Sequence, residues 1–74
     1  IEWTVATDGP VDLAVFDLLG QRIRSLARGP HAAGRYGLNW DARDDSGRLV
    51  ATGVYVYRLR TDDRQQYRKL LLVR

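Results

Sequence analysis

The side chains able to do chemistry are few. His31 is the only histidine, and it sits in the run Gly29-Pro30-His31-Ala32-Ala33-Gly34. A nucleophilic serine would need that imidazole within hydrogen-bond reach of Ser25 or Ser46, with an acid orienting it. Nothing in the spacing brings such a trio together, so His31 reads as an exposed loop residue. The acidic run Asp41-Ala42-Arg43-Asp44-Asp45-Ser46-Gly47 is the one candidate for a calcium loop. An EF-hand requires oxygen ligands at the first, third and fifth positions, glycine at the sixth and glutamate at the twelfth. Counted from Asp41, Arg43 stands third, Ser46 sixth and Thr52 twelfth, and the match fails. A looser surface site built from two or three carboxylates is the metal alternative. The simpler reading gives these acids to turn capping and to pairing with Arg43 or Arg48. No strand leads through a glycine-rich loop into a helix, so no phosphate cradle is expected. The expectation is no catalytic residue, no cofactor and no metal ligand.

Composition bounds the rest. A chain of 74 residues makes one domain at most, expected over 1–74, with a thin stability margin. It has no cysteine, so disulfides and thiolate metal sites are excluded and the core must come from aliphatics, two Trp and four Tyr. The formal net charge is +3, and every cation but Lys69 is arginine. These charges are mixed with aspartates along the chain rather than gathered in a stripe, so nucleic acid is not an expected partner. No apolar run approaches the length of a membrane helix and no basic-then-apolar leader pattern occurs in residues 1–74, so no membrane insertion is expected of this segment. The sequence opens inside a strand pattern, which leads us to expect an exported precursor upstream and an extracellular or cell-surface destination.

Helical periodicity is almost absent, whereas strand signals recur between turns. Strands are expected at 1–6, 11–17, 21–28, 35–41, 48–51, 53–61 and 66–74. Val11, Leu13 and Val15 share one face of the second. Leu26 breaks alternation in the third and marks a bulge or an end. Tyr55, Tyr57 and Leu59 face inward on the sixth, with Val56, Arg58 and Arg60 outward. Leu70 to Val73 are four consecutive apolar residues, which predicts cover on both faces of the last strand. Asp17-Leu18-Leu19-Gly20 and Asp44-Asp45-Ser46-Gly47 share the pattern of a type I turn, and Asp62-Asp63-Arg64 turns the chain once more. Seven short strands predict an all-β, antiparallel, immunoglobulin-like (fibronectin III-like) sandwich. Its expected core is Trp3, Leu13, Val15, Ile23, Leu38, Trp40, Tyr55, Tyr57 and Leu59. Tyrosine hydroxyls are expected to reach backbone groups at the edge of that core.

The order Val11-Asp-Leu-Ala-Val-Phe-Asp-Leu-Leu-Gly20, Ala33-Gly34-Arg35-Tyr36, Asn39-Trp40-Asp41, Asp44-Asp-Ser-Gly47, Thr52-Gly53-Val54-Tyr55-Val56-Tyr57-Arg58-Leu59 and Arg68-Lys69-Leu70-Leu71-Leu72-Val73-Arg74 carries a resemblance. It resembles the immunoglobulin-like domain shared by the flagellar hook-capping protein and by C-terminal sorting domains of type IX secretion cargo. The resemblance implies a noncatalytic module at the end of a larger exported bacterial protein, recognised by secretion machinery and used for sorting or surface attachment. Gly53-Val54-Tyr55 matches the family's Gly-x-Tyr element. Arg68, Lys69, Leu70, Leu71, Leu72, Val73 and Arg74 match its basic–aliphatic–basic terminal strand, the expected interaction element. Trp40, Asp41, Gly47, Gly53, Tyr55 and Tyr57 are the structural motif. The family usually has an asparagine- and proline-rich segment just before its first strand, whereas the sequence here opens at Ile1, so an excised domain or a processed N-terminus is expected.

Protein partners are therefore expected, either secretion machinery or further copies of the chain in a homo-oligomer or filament. Two alternatives remain open. One is a fibre or sheath subunit that assembles through edge strands. The other is a carbohydrate-binding appendage, which would need Trp3, Tyr36 and Tyr67 exposed in a row.

Overall fold

The computed structural model describes residues 1–62 and 64–73. Six strands form among them: β1 (Glu2–Val5), β2 (Gly9–Phe16), β3 (Arg22–His31), β4 (Gly34–Gly37), β5 (Gly53–Arg60) and β6 (Gln65–Leu72). All pairings are antiparallel. β1 and β4 make a two-stranded sheet, and the other four strands make a sheet in the order β3-β2-β5-β6. The two sheets enclose a core of Val5, Val11, Leu13 and Leu59, with Ile1, Trp3, Leu26, Ala27, Tyr36 and Tyr57 packed against it.

β2 lies between β3 and β5 and is the most buried strand. Val11, Leu13 and Val15 face inward, and Leu13 and Val15 have no exposed surface. The register of β3 slips between Leu13 and Ala14, passing over Leu26 as the broken alternation predicts, and again between Val15 and Phe16, passing over Ile23. Ile23 at this second bulge is only half-buried, contrary to its expected core role. β3 also runs on through His31, where a loop is expected. Pro10 and Pro30 stand opposite each other in the extension. Neither has an N–H to give, which an antiparallel ladder tolerates only between its hydrogen-bonded pairs.

Six strands form rather than seven because the segment 48–51 contributes only one bridge, Arg43 to Leu49. Ala42 takes a left-handed conformation (φ 62) that breaks any extended run, and the Val50 amide closes the loop onto its carbonyl at 2.8 Å. β4 is shorter than expected for a related reason. The Leu38 amide still donates to the Ile1 carbonyl at 2.8 Å. Beyond it the Trp40 indole turns to donate to the Arg43 carbonyl at 2.9 Å. Leu38 is consequently exposed and Trp40 half-buried, outside the core cluster. Trp3 and Tyr57 are half-buried at its margin, while Tyr55 is buried.

Both aspartate–glycine turns form as their pattern predicts. Asp17 Oδ1 accepts the amides of Leu19 and Gln21, each at 2.9 Å. Asp44 Oδ1 accepts the amides of Ser46 and Arg48, each at 3.0 Å, and the Ser46 hydroxyl at 2.7 Å. Gly20 (φ 84) and Gly47 (φ 90) supply the left-handed residue each turn needs. In the third turn, Asp63 lies outside the described residues.

Leu13→Ala should lower the unfolding free energy by about 2–5 kcal/mol, because it opens a void at the most buried position. Leu38→Ala should change it by less than about 1 kcal/mol. Urea melts of the two variants check the revised core directly.

Candidate interaction surface

The inner and outer faces of the four-stranded sheet differ in kind. Asp12, Ala14 and Phe16 face outward on β2, with Arg28, Ser25 and Arg22 opposite them on β3 and Arg60, Arg58 and Val56 on β5. β6 completes this face with Gln65, Tyr67, Lys69 and Leu71. Three guanidinium groups meet one carboxylate oxygen there: Arg58, Arg60 and Arg22 lie 3.2, 3.3 and 3.5 Å from Asp12 Oδ2. Phe16 lies between two of them, with the Arg58 guanidinium 4.8 Å and the Arg22 guanidinium 5.4 Å from its ring centre. Arg58 thus spans Ala14 from Asp12 to Phe16, and its outward side chain is only 14% exposed.

Asp12 is covered mainly by its own arginines. Burial acts to raise its carboxyl, but the Arg22 hydrogen bond and the charges of Arg22, Arg58 and Arg28 outweigh this and hold the group below its ordinary value of 3.8. The sequence reading missed this cluster. Its signal was present: one acid at an outward position of the central strand, flanked on the neighbouring strands by arginines at alternate positions.

Two tyrosines pin the chain where it enters a strand. The Tyr55 hydroxyl donates to the Ala51 carbonyl at 2.6 Å, and the Tyr36 hydroxyl donates to the Ala32 carbonyl. Both span four residues, and both lie in the pattern Ala-x-Gly-x-Tyr, at 32–36 and 51–55. Trp40 meets Tyr55 edge-on at 5.5 Å, and Trp3 stacks on Tyr36 at 5.5 Å. Asp41 Oδ1 accepts the Arg43 amide at 3.1 Å and Arg24 at 3.0 Å. Gly53 opens β5 and Gly47 closes the Asp44 turn. Of the motif residues, Trp40, Asp41, Gly47, Gly53 and Tyr55 thus fix the path from β4 into β5, whereas Tyr57 packs at the margin of the core.

The edges of the large sheet are treated differently. On β3 the Ser25 amide donates to Asp45 Oδ1 and the Asp45 amide donates to the Ile23 carbonyl, both at 3.0 Å. The loop between β4 and β5 therefore covers that edge. β6 has no such cover: among the described residues only β5 pairs with it. Arg68, Leu70 and Leu72 face the inner side, where the two leucines are half-buried. Leu71 is 66% exposed and Val73 72%, so the run Leu70–Val73 is covered on one face only, contrary to expectation. Arg74 lies outside the described residues.

A family model described as the FlgD Ig-like domain matches residues 1–65. The chain belongs to the FlgD Ig-like domain family. No curated protein and no solved structure gives a match. The FlgD Ig-like match ends where β6 begins, so the expected interaction residues 68–74 lie beyond it.

Within this FlgD Ig-like domain the remaining candidates are dispersed. His31 is half-buried at the end of β3, not exposed in a loop, with its ring 5.1 Å from that of Tyr36 and its Nδ1 3.0 Å from the Gly29 carbonyl. The acidic run is spent on the turn, on Arg24 and on the β3 edge, and no three His, Asp or Glu side chains gather as a metal cluster among the described residues. Tyr67 is exposed on the outer face of β6, whereas Trp3 and Tyr36 are half-buried on the other sheet, so the three form no row.

Asp12→Asn should cost about 1–3 kcal/mol near neutral pH, since it leaves three guanidinium groups without their counter-charge. The folded carboxyl titrates lower than the unfolded one, so its contribution is present above the unfolded pKa and fades as pH falls through the folded value. Urea melts of both proteins should therefore show a gap that narrows as pH falls through the ordinary carboxyl value of 3.8 and below it. A gap constant over that range would remove the carboxylate's charge from the account.

Proposed function

We propose that this domain is a noncatalytic recognition module of an exported bacterial protein, acting as a C-terminal sorting or surface-attachment domain that secretion machinery reads through β6. One observation carries the reading: β6 is an uncapped edge strand whose outward side chains, Tyr67, Lys69 and Leu71, join exposed apolar surface to a cation. Monomeric domains usually blunt such an edge, as Asp45 does for β3. Edge strands recruit partners through main-chain pairing, with side chains supplying selectivity. The scattered titratable groups fit a binding role better than catalysis, which requires them to converge.

The bare edge also suits a fibre subunit, and one experiment separates the two. A precursor carrying this domain behind a reporter is expressed in a host with a type IX system. The charge-introducing pair Leu71→Asp and Val73→Asp changes exposed positions and should leave the fold intact. Export should fall roughly tenfold or more, the scale of losing apolar anchors at an interface. Undiminished export of the variant contradicts the sorting reading. Concentration-dependent polymers of the purified wild-type domain would favour the fibre.

A further inference from the structure

The free edges of β1 and β6 border the same open side of the sandwich. Between them runs a cleft of about 290 Å³. Trp3, Tyr57 and Leu59 line it, with Glu2 on the β1 side and Arg64 and Arg68 on the β6 side. The Trp3 indole Nε1 is buried and has no hydrogen-bond partner among the described residues. From Arg64 to Val73 the chain carries three cations and no acid.

We propose that this edge and cleft take an extended acidic segment of a partner protein as an added strand beside β6. The inference rests on the reading of β6 as the recognition strand and names the chemistry of what it recognises. Side-chain alternation fixes the pattern. On the outer face an acid stands opposite Lys69, with apolar residues two positions to either side meeting Tyr67 and Leu71. On the inner face an apolar residue enters the cleft over Tyr57 and Leu59, with an acid beside Arg64 or Arg68. The new backbone satisfies the outward amides and carbonyls of β6 and brings acceptors to the side of the sandwich that Trp3 lines. A second copy of the chain is the poorer occupant. Edge cations are a known defence against self-pairing, and β6 against β6 would gather Arg68 and Lys69 of both copies with no acid between them.

The test uses the 74-residue chain and a short capped peptide in which pairs of valines alternate with pairs of glutamates, so that each face carries both. The same peptide with lysine for glutamate is the control. Binding is followed by amide chemical shifts at low salt. The glutamate peptide should bind, with shifts concentrated in β6 and β1, and the lysine peptide should not. The double variant Arg68→Glu, Lys69→Glu should weaken the glutamate peptide roughly tenfold and gain binding to the lysine peptide. A misfolded variant cannot produce that gain. Equal binding of both peptides overturns the proposal, as do shifts confined to the arginines around Asp12 or dimerisation of the free domain through β6. Export that depends on β6 in the absence of peptide binding leaves the functional reading standing and removes this one. Peptide binding with export indifferent to β6 does the reverse.

Discussion

Burial of β2 on both faces is the constraint from which the other features follow. Inward, Val11, Leu13 and Val15 supply apolar surface that β1, β4 and β5 close over. Outward, Ala14 has no exposed surface either, yet no second layer lies above it. The cover comes from long polar side chains. Arg58 crosses Ala14 with its stem and ends on Asp12, and Phe16 supplies a ring for two guanidinium groups to rest on. Arginine suits this role because its aliphatic stem covers apolar surface while its planar head both pairs and stacks. A small chain without cysteine thereby gains a covered outer face without another layer.

A central β2 also decides which strands are exposed. In the order β3-β2-β5-β6 only the first and last have free edges. The loop from β4 to β5 must return to the large sheet, and it does so along β3, where Asp45 satisfies the edge. The left-handed Ala42 and the capping by Asp44 hold that loop in place. Among the described residues nothing in the connectivity passes beside β6. The contrast between one capped edge and one bare edge is thus built into the topology.

Much of this was legible in the sequence. Alternation placed Leu13, Val15, Tyr55 and Leu59 indoors, because a half-buried strand must repeat every two residues, and Val11, read only as sharing their face, joins them. The two Asp-x-x-Gly turns were legible because the carboxylate and the glycine each meet a specific backbone demand. The errors have physical causes. Leu38 and Trp40 alternate correctly, but an indole hydrogen bond to the Arg43 carbonyl ends the strand before them. Leu70 to Val73 look doubly covered because their hydrophobicity was read without knowing that the strand lies at the edge. The Asp12 cluster joins residues up to 48 apart, so it could be inferred only after strand order was known. The paired Ala-x-Gly-x-Tyr elements were visible and went unread, since each looked like an isolated tyrosine. The order of weak motifs along nearly the whole chain pointed to the family whose model matches residues 1–65, while the terminal motif at 68–74, which carried the sorting half of the resemblance, lies outside that match.

Residue-resolved amide exchange on the free domain tests the central asymmetry most directly. The account requires the slowest exchange in β2, strong protection of the Ser25 amide by Asp45, and rapid exchange of the alternate β6 amides that point away from β5. Equal, strong protection of every β6 amide in the monomer would contradict it, as would a freely exchanging Ser25 amide.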